Sequence, residues 1–113
     1  MRKKNLSVAM NLHPTLTDFL FYVEVDYQYY NQELVITSGS ELTTKHMRTS
    51  LHYSGQAVDI RTKNGSYDNA YQAKRLRNVA AVYCREYGIP IDWFDVVAES
   101  DHLHLEYQPK RPT

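Results

Sequence analysis

The sequence predicts an α+β domain: a small, mostly antiparallel sheet flanked by two main helices. Three observations lead there. Two stretches, Pro14 to Tyr30 and Ser66 to Gly88, repeat apolar residues at helical spacing. Four short β-prone runs stand between and after them. The resulting order, α-β-β-α-β-β, brings sequential strands side by side and leaves the helices to cover them. With 113 residues the chain has no length for a second independent core, so 1–113 is read as one domain.

In the first helix Leu16, Phe19, Leu20, Val23, Tyr27 and Tyr30 fall on one side, and Pro14 suits a first turn. Leu34-Val35-Ile36-Thr37 is a short strand, ended by Ser38-Gly39-Ser40. Residues 41–54 are polar and irregular. Gln56 to Arg61 alternates like a strand, Asn64-Gly65 makes a turn, and Ser66 is the expected N-cap of the second helix. That helix carries Ala73, Leu76, Ala80, Tyr83 and Tyr87 on one face, with Gly88 as C-cap and Pro90 beyond it. Phe94 to Ala98 and His102 to Tyr107 read as two late strands, and Pro109 and Pro112 mark an extended tail.

Lys plus Arg and Asp plus Glu balance at 13 each, so nothing in the net charge argues for nucleic acid or an anionic membrane. The ten tyrosines are read as residues of half-buried faces, because no basic stripe accompanies them as a base-stacking surface requires. Cys84, alone in the chain, cannot form an internal disulfide and is expected as a small buried hydrophobe. Met1-Arg2-Lys3-Lys4 begins like a signal peptide, but the apolar stretch after it is too short and interrupted to serve as one. No run approaches the ~20 apolar residues of a membrane span. Cytoplasmic synthesis of a soluble monomer is expected, with access to any cell-wall target supplied separately.

Three of the five histidines fall in two short segments: Ser50-Leu51-His52-Tyr53-Ser54-Gly55-Gln56-Ala57-Val58-Asp59 and Glu99-Ser100-Asp101-His102-Leu103-His104-Leu105-Glu106. Zinc takes imidazole nitrogen and carboxylate oxygen, and a catalytic zinc keeps three protein ligands and an open position. His52 and Asp59 can converge if the loop folds back over the strand, and Gly55 permits that turn. Ala57 shares a strand face with Asp59 and leaves room beside it. His102, His104 and Glu106 share a face of the last strand while Leu103 and Leu105 point to the core. Spacing alone leaves a plain polar strand face as an equal reading.

The pattern Ser50-x-His52-x-x-Gly55-x-Ala57-x-Asp59 resembles the signature of the zinc D-Ala-D-Ala carboxypeptidase and L-alanyl-D-glutamate endopeptidase family at all five specified positions. That family includes many phage endolysins and shares its core with murein endopeptidases and the hedgehog signalling domain. Its third metal ligand is a histidine on a late strand, within His-x-His or Asp/Glu-x-x-His. Asp101-x-x-His104 and His102-x-His104 match both forms. Val35-Ile36-Thr37-Ser38-Gly39 is similar to the family's strand before the site, and the resemblance covers roughly residues 34–108.

The resemblance implies a hedgehog-like fold and one zinc ion held by His52, Asp59 and His104. It also implies Asp101 as general base, His102 assisting, and peptidoglycan stem peptide as substrate. Glu99-x-x-His102 is a rival register, with His102 as ligand and Glu99 as base. Members commonly place an aromatic residue and an Arg after the Ser-Gly of the preceding strand; here Ser40-Glu41 stands there. Arg48 is the nearest replacement, and with Ser50 it is the expected substrate contact. Glu106 and Tyr107 are expected as supporting or surface groups, and His13 and His46 as ordinary loop or helix-end histidines. The implied activity is endolysin-like. A cytoplasmic D-Ala-D-Ala carboxypeptidase and a zinc-stabilised module without catalysis are the alternatives.

Overall fold

The computed structural model describes residues 1–5, 7–39 and 55–109. The polar stretch 41–54, with Arg48, Ser50, His52 and His46, lies outside the described residues, as does the end of the tail.

Two helices and a five-stranded mixed sheet make up the described fold, so the α+β expectation holds. Strand β1 (Arg2–Lys3) precedes helix α1 (Pro14–Tyr29) and strands β2 (Val35–Ser38) and β3 (Ala57–Arg61). Helix α2 (Asn69–Tyr87) follows, then a 3-10 turn (Ile91–Trp93) and strands β4 (Phe94–Ala98) and β5 (His102–Tyr107). The sheet order is β1-β2-β3-β5-β4, parallel between β1 and β2 and antiparallel elsewhere.

Leu16, Phe19, Leu20, Val23 and Tyr27 of α1 are buried, as their spacing predicts. Together with Leu76, Ala80 and Tyr83 of α2 they meet Val58, Ile60, Val96, Leu103 and Leu105 of the sheet in one apolar cluster. Phe19 packs on Phe94 with ring centroids 4.6 Å apart, which locks α1 against β4. Both helices therefore cover the same side of the sheet. The alternate residues of β3 and β5 are left on the other side: the burial of β5 runs half-buried, buried, half-buried from His102 to Tyr107.

Four details depart from the expectations. The two-residue β1 was not foreseen; both its side chains are exposed, and it is held by backbone bonds such as Arg2 N–H to Leu34 O at 2.9 Å. The N-cap of α2 is Asp68, not Ser66: its carboxylate accepts from Tyr71 N–H at 2.8 Å, and Ser66 stays in the preceding loop. Tyr87 is exposed, while the polar Gln72 and Arg75 are buried on that helix. Tyr107 is a core residue packed on Phe94, because the strand alternation carries it inward.

Cys84 is a buried free thiol, as expected, and burial pushes its pKa up. Gly88 caps α2 in the left-handed region at φ 68. Among the described tyrosines, Tyr27, Tyr83 and Tyr107 are in the core, Tyr22 and Tyr30 are half-buried, and Tyr29, Tyr67, Tyr71 and Tyr87 are exposed. No helix among the described residues is long and apolar enough to cross a membrane.

Candidate metal centre

Antiparallel pairing of β3 with β5 fixes the candidate site. Ala57 lies opposite Glu106, Asp59 opposite His104, and Arg61 opposite His102. Because side chains alternate across a strand, all six belong to the sheet face away from the helices. A register shift in β2, where Ile36 pairs with Ile60 but Ser38 with Asp59, places a bulge beside Asp59. Thr37 Oγ1 there donates to Asp59 O at 3.4 Å.

Asp59 Oδ1 and His104 Nδ1 are 2.8 Å apart. On the other edge of the same imidazole, Nε2 lies 2.8 Å from Glu106 Oε1. Asp59 and His104 keep 15% and 21% of their side-chain surface exposed, so the pair is sheltered yet open to a ligand. The hydrogen bond from Asp59 and, after it, the one from Glu106 raise the His104 pKa to about 9, against the opposing pull of burial.

His102 sits one step along the face. Its Nε2 is 3.7 Å from Asp59 Oδ1, and its Nδ1 is 2.8 Å from Asp101 Oδ1. The histidine beside Asp101 holds that carboxyl below the usual carboxylate range. Asp101, in the β4–β5 turn, thus reaches the cluster through His102.

Glu99 takes part through its backbone. Its N–H donates to His102 O at 2.9 Å and its O accepts from Asn69 Nδ2 at 2.6 Å, which pins the turn to the start of α2. No contact of its carboxylate with the cluster is found among the described residues. His13 is a helix-end histidine, as expected: Nδ1 accepts from Thr15 N–H at 3.1 Å at the start of α1.

Gly55 has φ 73, a left-handed backbone that glycine adopts without strain in the turn before β3. A Cβ there would stand 2.5 Å from Asn11 O, and Gly55 O accepts from His13 N–H at 2.8 Å. At the other end of the 40–54 stretch a Cβ on Gly39 would collide with Ala9 O. Both glycines are therefore held against the segment leading into α1.

Asp59 and His104 supply a carboxylate oxygen and an imidazole nitrogen at one point, the donor types zinc accepts, so the pair fits two positions of a zinc site. Among the described residues no three His, Cys, Asp or Glu side chains form a group that could hold a metal. The third expected ligand, His52, lies outside the described residues, together with the expected substrate contacts Arg48 and Ser50.

A scan against protein-family models finds no match to this chain, and a search of the curated proteins finds no relative. The family resemblance accordingly rests on the residue pattern alone.

Proposed function

We propose that the protein is a zinc metallopeptidase that hydrolyses peptide bonds of bacterial peptidoglycan stem peptides. The observation carrying this reading is the Asp59–His104 pair: two residues of separate motifs, 45 positions apart, with donor atoms 2.8 Å from each other. Asp59, His104 and, from the resemblance, His52 would hold the ion.

Zinc, when bound, supplies a Lewis acid that polarises a scissile carbonyl and makes water a nucleophile near neutral pH. The chain's residues do the rest. Asp101 takes a proton from the attacking water and returns it to the leaving amine. His102, steadied by Asp101 at Nδ1, presents the lone pair of Nε2 on the cluster side, where it can accept a hydrogen bond from the attacking water and orient it. Glu99 holds the turn in which Asp101 sits. The exposed side of β4 beside the cluster carries Asp95, opposite Glu106, and Val97, opposite His104.

The test is digestion of purified peptidoglycan with and without a zinc chelator, with the new termini identified by mass spectrometry. Chelator-sensitive cleavage between L-Ala and D-Glu, or at a neighbouring D-centre, is expected. Release of D-Ala as the sole product would make the protein a carboxypeptidase, and no new termini at all would overturn the peptidase reading.

A further inference from the structure

From the cluster geometry we infer that Glu106 is a positioning residue, which holds His104 Nε2–H so that Nδ1 is the nitrogen offered to the metal. This rests on the zinc reading above and deepens it.

An imidazole has two nitrogens, and a metal ligand needs a lone pair on one of them. Which nitrogen is free is decided by the hydrogen bond the other makes. Here the two edges of His104 face different partners: Nδ1 meets Asp59 and Nε2 meets Glu106, each at 2.8 Å. Asp59 comes from β3 and belongs to the expected ligand set; Glu106 comes from the same strand as His104 and lies outside it. A carboxylate fixed on Nε2–H holds the neutral ring in the tautomer that bears its lone pair at Nδ1, on the Asp59 side. It also makes that nitrogen more basic.

The surrounding strands explain why Glu106 reaches the ring. Two residues along one strand share a face, so Glu106 follows His104 on the side of the sheet away from the helices. Its cross-strand partner on β3 is Ala57, fully buried and small, so no larger side chain opposes the carboxylate there. Its partner on β4 is Asp95, a like charge that discourages the opposite lean. The alanine two residues before Asp59 thus has a specific duty: a bulkier residue would push Glu106 off His104.

The experiment measures zinc affinity by chelator competition for the parent, Glu106→Gln and Glu106→Leu. It is joined by nitrogen-15 NMR of the histidine rings in the zinc-loaded proteins. In the parent, His104 should show a protonated Nε2 and a metal-shifted Nδ1. Glu106→Leu should weaken zinc by about 10- to 100-fold, the usual range for a lost outer-shell partner. Glu106→Gln keeps an acceptor for Nε2–H and should lie between the two, a partial rescue that a purely structural role would not give. Parent-like affinity in both variants would overturn the inference and leave the zinc site standing, as would zinc on Nε2 of His104 in the parent. A parent that binds no zinc would overturn both this inference and the metallopeptidase reading.

Discussion

Asp59 and His104 face each other across β3 and β5, and their side chains meet at 2.8 Å. Neither strand alone carries this contact. It exists because the core residues Val58, Ile60, Leu103 and Leu105 lock the two strands in one register, and a slip of one residue would turn the polar side chains into the core. Packing on one side of the sheet therefore sets the chemistry on the other.

The proton-handling role of Asp101 predicts a selective loss. Asp101→Asn should leave zinc content and fold intact and lower turnover by about 100-fold or more. Glu99→Gln should cost much less, since Glu99 holds its turn through backbone groups. Steady-state rates on a stem-peptide substrate decide this. A dead Glu99→Gln beside an active Asp101→Asn would move the base to Glu99.

Arg75 is the buried centre of a network joining the helices. Its guanidinium donates to Asp26 Oδ2 at 3.1 Å and to Gln32 Oε1 at 3.1 Å, and lies 4.0 Å from the centroid of the Tyr30 ring. Arg75→Leu strands those acceptors and should cost about 3 kcal/mol, lowering Tm by roughly 10 °C. Calorimetry on the metal-free protein is the check; a shift within error of zero would show that the network relaxes freely.

Tyr27 predicts an alkaline weakness. Its hydroxyl is buried with no hydrogen-bond partner among the described residues, and burial pushes its pKa up to about 12. A phenol with its folded-state pKa raised contributes stability that is present below pH ~10 and lost as pH climbs toward 12. The loss across that range is about 3 kcal/mol. Tyr27→Phe should be neutral or slightly stabilising at pH 7, because it removes an unpaired buried hydroxyl. It should also unfold less readily than the parent above pH 10. Denaturant titrations at pH 7 and pH 11 test both halves; equal pH sensitivity in parent and variant would count against it.

Much of this was legible in the sequence. The helices announce themselves because burying one side demands apolar residues at helical spacing; of the six residues this spacing selects, α1 buries five, Leu16 to Tyr27, while Tyr30 caps its end half-buried. The alternation of β5 likewise shows that His102 and His104 share a face. Strand β1 was illegible, since two exposed residues held by backbone bonds leave no side-chain pattern. Ser66 and Asp68 are both good caps, and choosing between them needs the position at which the chain leaves the loop. That Glu106 shares a face with His104 was legible, but its contact with the imidazole was not. It depends on which β3 residue stands opposite Glu106, and strand register is a property of the assembled core.

Zinc content is the most direct measure of the central claim. Elemental analysis of the purified protein should give about one zinc per chain, the stoichiometry of a single three-ligand site. Asp59→Ala and His104→Ala should each lose the metal and melt earlier than the parent, because bound metal contributes to folding stability. Full zinc occupancy retained in both variants would contradict the account.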